Sequence, residues 1–178
     1  MRRLLYLLPI VLVAVLVAIF WRGLDPKRDP SALPSALIGK PVPALELPAL
    51  LPGGAPLSLA ELKGQPVAIN FFASWCLPCR AEHPLLGKIA KEYGIPVIGI
   101  AYKDKPEDAR RYLDDLGNPY AAIGADESGR AGIEFGLTGV PETYIIDRDG
   151  VVRYRLAGPI APGNLEDQLA PAIKAVMQ

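Results

Sequence analysis

The sequence of 178 residues is long enough for one domain of ordinary size and an appendage. Its 19 Lys and Arg residues balance its 19 Asp and Glu residues, and it contains no basic block or aromatic-rich basic stretch. This composition argues against a nucleic-acid partner. The sequence also lacks internal repeats and Gly-rich phosphate-binding motifs.

An apolar run at the N-terminus predicts a membrane anchor. Residues 4–21 are 18 uninterrupted apolar positions that follow Arg2 and Arg3. Such a run can cross a bilayer core as a helix, and no small-x-small cleavage site follows it. We therefore predict an uncleaved transmembrane helix within residues 1–23, with its N-terminus in the cytoplasm. Three prolines then predict an extended linker over residues 24–37, so the folded domain is predicted to cover residues 38–178.

Hydrophobic patterns and turn residues predict a domain in which strands alternate with helices. The nearly all-apolar run 66–72 is typical of a strand buried on both faces, and Pro84 lies inside the long helix predicted after it. Asp149-Gly150 is a strong hairpin signal, so the last two strands are predicted to be antiparallel. The pattern as a whole predicts an α/β fold with a central mixed sheet. Strands are predicted at residues 43–48, 66–72, 96–102, 121–124, 143–147 and 151–156, and helices at residues 76–93, 106–116, 128–135 and 164–176.

The only two cysteines, Cys76 and Cys79, stand at the start of the first long helix. A structural disulfide closing so few residues would restrain little chain entropy. A zinc site normally needs four ligands, and the chain adds only one histidine, His83, to the two thiols. Redox chemistry fits better, because a helix N-terminus stabilises a thiolate at Cys76. Cys79, one turn further on, can then resolve a mixed disulfide.

The order of these features carries a family resemblance. A strand, Trp-Cys-x-x-Cys, a helix with Pro84 five residues after Cys79, and Val-Pro ahead of a hairpin resemble the thioredoxin superfamily. The segments at residues 35–43, 116–120, 139–147 and 149–158 resemble the DsbE/CcmG family of membrane-anchored thiol:disulfide interchange proteins of cytochrome c biogenesis. The Gly-Val-Pro-Glu-Thr stretch that begins at Gly139 narrows the resemblance from the superfamily to this one family. The resemblance covers about residues 35–178.

The resemblance implies a thioredoxin-like fold, with helices on both sides of the mixed sheet and an N-terminal transmembrane helix. It implies a thiol:disulfide oxidoreductase without cofactor or metal, held in the cytoplasmic membrane by a single span, with its soluble domain in the periplasm. The expected substrate is a disulfide of apocytochrome c or of a maturation thiol protein, and the expected electron donor is a membrane thiol transporter of the DsbD/CcdA type. Two alternatives stay open: a general extracytoplasmic reductase or oxidase, and a non-enzymatic peptide-binding module.

The resemblance also assigns residues to the surroundings of the dithiol. Trp75 is expected to shield the cysteines or to pack in the core, and Pro78 lies between them. Pro141 is expected in cis opposite the dithiol. The backbone of Val140 is then expected to pair with an extended substrate segment.

Two acidic residues are expected to serve the dithiol. Thioredoxins have a buried aspartate where this chain has Asn70, which cannot ionise. Glu82 and Glu142 are therefore the candidate proton acceptors, and both are expected to line an acidic groove. Glu82 is expected to be partly solvated, so that its replacement by Gln would change the redox potential at little cost in stability. His83 is interpreted as a surface or internally hydrogen-bonded histidine without a catalytic role.

Overall fold

The computed structural model describes residues 9, 11–18, 20 and 35–178. The chain divides into two units, Met1–Leu33 and Pro34–Gln178. In the first unit, residues 9, 11–18 and 20 are helical. No helix formed by the described residues is both long enough and apolar enough to cross a membrane. The rest of the predicted anchor, and residues 24–34 of the predicted linker, lie outside the described residues.

The strands of the second unit are β1 Glu46–Leu47, β2 Leu57–Ser58, β3 Val67–Phe72, β4 Val97–Tyr102, β5 Ala122–Asp126, β6 Glu142–Ile146 and β7 Val152–Ala157. Five of them form a mixed sheet of order β5-β4-β3-β6-β7. The central strand pairs in parallel with β4 and antiparallel with β6, while β5 continues the parallel half and β7 the antiparallel half. A separate two-stranded sheet joins β1 to β2.

A short 3-10 helix at Leu59–Glu61 and four longer helical segments, α1 to α4, complete the described part of the domain. The four longer segments are α1 Leu77–Tyr93, α2 Pro106–Leu116, α3 Arg130–Phe135, and a terminal segment α4 that is α-helical at Pro162–Asn164, π-helical at Leu165–Leu169 and α-helical at Ala170–Met177. Pro84 lies inside α1, and Gly94 ends that helix in the left-handed region at φ 67°, which glycine adopts without steric cost.

This architecture confirms the predicted thioredoxin-like α/β fold. The strand predicted at residues 43–48 is the main difference, because only Glu46–Leu47 forms regular strand. Pro43 and Pro48 lack the N–H groups that a longer ladder would need. The last helix begins at Pro162 and includes a π-helical turn that sequence periodicity does not reveal.

Strand β3 separates two hydrophobic clusters, because its side chains alternate between the faces of the sheet. Ala68 and Phe72 belong to the cluster that contains both cysteines and the inner face of α1. Ile69 and Phe71 belong to the other cluster, where the Phe71 ring centre lies 5.0 Å from that of Phe135. The alternation puts residue 70 on the same face as Ala68 and Phe72, behind α1.

Candidate active site

The two cysteines lie where β3 is followed by α1. Cys76 has extended backbone angles (φ −88°, ψ 106°) and is the N-cap residue of the helix. Its sulfur accepts a hydrogen bond from the backbone N–H of Cys79 at 3.1 Å, and the two sulfurs form a disulfide. Only 4% of Cys76 and 1% of Cys79 is exposed. Because Cys76 is the N-cap residue, its sulfur lies at the positive end of the helix dipole.

The loop ahead of β6 contacts this disulfide. The Val140–Pro141 peptide bond is cis, as the family resemblance implies, and Pro141 is buried. The sulfur of Cys76 lies 3.5 Å from the carbonyl oxygen of Val140. Val140 is half-buried and makes no backbone–backbone hydrogen bond with any other described residue. This segment therefore lies directly beside the Cys76 sulfur.

Two of the predicted neighbours of the dithiol lie at the surface. Trp75 is 60% exposed, so the interpretation that it packs in the core is wrong. Its indole N–H donates a hydrogen bond to the carbonyl oxygen of Lys103 at 3.1 Å, which holds the ring against the segment that follows β4. Pro78 is exposed in the first turn of α1, where a missing N–H removes no helical hydrogen bond.

Ser74 and Asp104 hold the chain just ahead of Cys76. Asp104 is buried, and its carboxylate accepts hydrogen bonds from the hydroxyl of Ser74 at 2.8 Å and from the Ser74 N–H. This pair is absent from the sequence predictions. The sequence does contain a pattern that could have predicted it. Ser74 follows β3 and Asp104 follows β4, and the carboxyl ends of these parallel strands lie at the same edge of the sheet.

A buried polar network lies behind the disulfide, centred on the side chain of Asn70. The Asn70 amide donates to a carboxylate oxygen of Glu82 at 2.9 Å and to the hydroxyl of Thr143 at 3.1 Å. Its carbonyl oxygen accepts a hydrogen bond from the hydroxyl of Tyr120 at 2.9 Å. The second oxygen of Glu82 accepts the backbone N–H of Ile160 at 2.6 Å. The network ties β3 to α1, to β6 and to the loops before β5 and α4.

The environment of Glu82 differs from the expected one. Only 1% of this residue is exposed, so the expectation of a partly solvated side chain is wrong. Burial raises the pKa of Glu82 to about 7, against the opposing effect of the hydrogen bonds from Ile160 and Asn70. A carboxyl group with this pKa can gain or lose a proton near neutral pH.

Glu142 is also buried rather than part of an open acidic groove, with 1% exposed. Arg155 donates two hydrogen bonds to its carboxylate, at 2.8 and 2.6 Å. Thr138 and the hydroxyl of Tyr144 donate further ones. Burial alone would raise the pKa of Glu142, but these donors outweigh it and lower the pKa. Glu142 is therefore a carboxylate whose charge is matched by Arg155.

His83 is buried on α1 and is hydrogen-bonded to other residues of the domain, so it is the internally hydrogen-bonded histidine and not the surface one. Its Nε2 atom lies 2.9 Å from the carbonyl oxygen of Gly117, and its Nδ1 atom lies 3.1 Å from the hydroxyl of Tyr112. Within residues 9, 11–18, 20 and 35–178, no group of three or more His, Cys, Asp or Glu side chains could hold a metal ion.

A Cys-x-x-Cys disulfide at a helix N-terminus, beside a cis-proline loop on this fold, defines a thioredoxin-like thiol:disulfide oxidoreductase. The chain matches the Redoxin family over residues 37–169. It is 40% identical over 177 residues to the thiol:disulfide interchange protein DsbE of Pseudomonas aeruginosa, an alignment that covers 99% of this chain and 97% of that protein. It is 42% identical over 153 residues to the thiol:disulfide interchange protein CycY of Rhizobium leguminosarum bv. viciae, covering 84% of this chain and 81% of that protein.

A solved structure gives the same result for the fold. A Chlorobium tepidum protein assigned as a thiol:disulfide interchange protein DsbE superposes with a TM-score of 0.70 and 26% identity, over 79% of this chain and 98% of that chain. The chain belongs to the DsbE/CcmG family of thiol:disulfide interchange proteins. The resemblance stated from the sequence is thereby confirmed.

Replacing Glu82 by Gln should remove a pH dependence of stability. The folded protein retains the Glu82 proton up to about pH 7, whereas the unfolded chain loses it near the ordinary pKa of 4.5. The free energy of unfolding of the wild type should therefore fall as the pH rises through this window. Relative to Glu82→Gln, the fall is expected to be on the order of 3 kcal/mol. Urea unfolding of both proteins between about pH 4 and pH 8 measures it, with the exposed Glu134→Gln as control; parallel curves for wild type and Glu82→Gln would refute the raised pKa.

Replacing Glu142 by Gln should destabilise the fold and leave the redox potential nearly unchanged. The substitution removes the negative charge that faces the guanidinium of Arg155, whose side chain is only 6% exposed, and breaking a buried ion pair from one side costs about 3–5 kcal/mol. The potential should hardly move, because the Glu142 carboxylate hydrogen-bonds to Arg155, Thr138 and Tyr144 rather than to the dithiol. Chemical denaturation and glutathione equilibration give the two quantities, again with Glu134→Gln as control. A shifted potential at unchanged stability would mean that Glu142 acts on the dithiol as a free charge.

Proposed function

We propose that this chain is a thiol:disulfide reductase of cytochrome c maturation, anchored in the cytoplasmic membrane with its dithiol domain in the periplasm. The observation that carries the proposal is the Cys76–Cys79 pair at a helix N-terminus in a member of the DsbE/CcmG family. The resemblance to that family supports the rest. The substrate would be a disulfide of apocytochrome c or of a maturation thiol protein, and a DsbD/CcdA-type membrane thiol transporter would supply electrons.

The reaction is a pair of thiol–disulfide exchanges. The reduced Cys76 thiolate attacks one sulfur of the substrate disulfide, that bond breaks, and the leaving sulfur takes the electron pair and then a proton. Cys79 then loses its proton and attacks the Cys76 sulfur of the mixed disulfide. This step releases the second substrate thiol and forms the Cys76–Cys79 disulfide. Two electrons and two protons have passed to the substrate, and the donor's dithiol returns them.

The helix start supports Cys76 as the attacking group. The Cys79 N–H that hydrogen-bonds the Cys76 sulfur in the disulfide is equally placed to donate to a Cys76 thiolate. The helix dipole favours the same negative charge. Cys79 lies behind Cys76 and is less exposed, which suits the resolving role.

Glu82 is the proposed acceptor of the Cys79 proton. Residues three apart on a helix lie on the same face, so Glu82 follows Cys79 on the buried side of α1. A pKa of about 7 suits a group that takes a proton at neutral pH and returns it. The donors Asn70 and Ile160 hold its carboxylate in place. Glu142 has no such role in the proposal, since Arg155 binds both of its oxygens.

Val140 is the proposed docking point for the substrate backbone. An extended segment that carries the target disulfide could hydrogen-bond to the unpaired backbone of Val140 and bring its sulfur to Cys76. Trp75, Leu77 and Pro78 offer an apolar surface beside it; Leu77 is 77% exposed. Main-chain hydrogen bonds do not depend on the side chains of the substrate, so this pairing suits a reductase that must accept cysteine motifs in different sequences.

The N-terminal segment supports the proposed location. The helical residues 11–18 are apolar, and their large side chains are about half exposed or more; Leu12, for example, is 58% exposed. Exposing such a surface to water is unfavourable, whereas lipid would cover it. The uninterrupted apolar run 4–21 has the length that a bilayer core requires.

Trapping in native membranes tests the proposal. The Cys79→Ser form keeps the attacking thiol but cannot release a mixed disulfide, so it should accumulate linked to its substrate. The adduct should contain an apocytochrome c or a maturation thiol protein, and should stay in the carbonate-washed membrane fraction. Mass spectrometry before and after reduction identifies the partner.

The Cys76→Ser form is the matched control, and it should give no adduct. Adducts spread over many unrelated extracytoplasmic proteins would instead indicate a general reductase. Recovery of the protein in the soluble fraction would contradict the uncleaved anchor. Adducts formed by Cys76→Ser but not by Cys79→Ser would reverse the roles of the two cysteines.

A further inference from the structure

The hydroxyl of Tyr112 has one proton to donate and lies within hydrogen-bond distance of two acceptors. Tyr112 lies on α2, with only 2% of the residue exposed. Its hydroxyl oxygen lies 3.1 Å from the backbone carbonyl oxygen of Cys79 and 3.1 Å from Nδ1 of His83. Burial raises the pKa of Tyr112 to about 12, so the hydroxyl keeps its proton throughout the physiological range.

The neighbouring carbonyl fixes the tautomer of His83. Nε2 lies 2.9 Å from the carbonyl oxygen of Gly117, a group that can only accept a hydrogen bond. Nε2 therefore carries the proton of the neutral ring, and Nδ1 is an acceptor. Burial lowers the pKa of His83, so the neutral ring prevails near pH 7. In this state the Tyr112 proton is divided between Nδ1 and the Cys79 carbonyl.

Protonation of His83 changes the direction of this hydrogen bond. An imidazolium donates from both nitrogens, so Nδ1 would then donate to the Tyr112 oxygen. The Tyr112 proton would be left with one acceptor, the carbonyl oxygen of Cys79. The same event would place a positive charge four residues after Cys79, on the same face of α1.

We propose that His83 and Tyr112 are positioning residues for Cys79, which couple protonation of His83 to the redox state of the dithiol. The disulfide carries no charge, whereas the reduced pair can carry a thiolate, and a nearby imidazolium favours the thiolate. Protonated His83 should therefore favour the reduced form. The proposal rests on the dithiol chemistry alone and does not depend on the substrate or location proposed above.

Other charged and titratable groups face His83, and they define the controls. From α1, Arg80 adds a fixed positive charge that lowers the pKa of His83, and the Arg80 guanidinium carbon lies 5.2 Å from the Tyr112 ring centre. The Tyr120 ring meets His83 edge-on at 6.2 Å. Glu82 is adjacent in sequence and titrates near neutral pH, so the measurement should be repeated in Glu82→Gln to separate the two groups.

The experiment uses the fact that His83 is the only histidine of the chain. Its imidazole resonances can be followed by NMR against pH in the oxidised and the reduced protein. The pKa of His83 should be higher in the reduced protein, by about half a pH unit. Reciprocity then requires the reduction potential to become less negative by about 15 mV on protonation, beyond its ordinary pH slope, since a tenfold change in the equilibrium is 29.6 mV.

Tyr112→Phe tests the hydroxyl, since it keeps a ring that stacks on Phe72 at 5.6 Å. The part of the pKa difference that the hydroxyl transmits through its hydrogen bonds should disappear in this variant, while the direct attraction between imidazolium and thiolate should remain. The full difference should persist in Tyr93→Phe, a control at a tyrosine whose hydroxyl contacts the exposed Glu166. His83→Gln should lose the additional pH dependence of the potential. Equal pKa values in oxidised and reduced wild type would overturn the proposal, and an undiminished difference in Tyr112→Phe would overturn the role of the hydroxyl.

Discussion

The amide of Asn70, buried in the middle of the central strand, is the constraint on which the arrangement of the site depends. A polar side chain at such a position is costly unless all of its hydrogen-bonding groups are paired. Its partners come from three other parts of the chain, namely Glu82 on α1, Thr143 on β6 and Tyr120 before β5. Satisfying this one side chain therefore orients α1 against the sheet. That orientation places Cys79 on the inner face of the helix and Cys76 at its open end.

The same packing gives two buried carboxylates opposite properties. Glu82 receives only neutral donors, so burial dominates and raises its pKa to about 7. Glu142 accepts hydrogen bonds from the guanidinium of Arg155 and from two hydroxyls, so its pKa falls although it is as buried as Glu82. One carboxyl can therefore exchange protons near neutral pH, while the other holds β6 to β7 through Arg155. The two carboxyl groups therefore differ in charge state and in role, and they do not form one acidic groove.

Local patterns in the sequence predict most of the fold and the dithiol. The apolar run of β3, the helix start at Cys76 and the hairpin at Asp149-Gly150 depend on neighbouring residues, and the structure contains all three. The burial of Glu82 could not be predicted in this way. Its partners Asn70 and Ile160 lie 12 and 78 residues away, and a charged residue on a helix normally faces water. The hydroxyl of Tyr112 meets Cys79 and His83 for a similar reason, since only the packing of α2 on α1 brings them together.

In the proposed mechanism, the first turn of α1 makes Cys76 the attacking thiol and the packing behind it makes Cys79 the resolving one. Alkylation of the reduced Cys76→Ser and Cys79→Ser variants with iodoacetamide, measured against pH, distinguishes the roles of the two thiols. Cys76 should be alkylated faster than Cys79 at neutral pH, and its rate should reach a plateau at lower pH. A faster reaction at Cys79, or identical pH profiles for the two thiols, would show that the helix start does not select Cys76 as the attacking thiol.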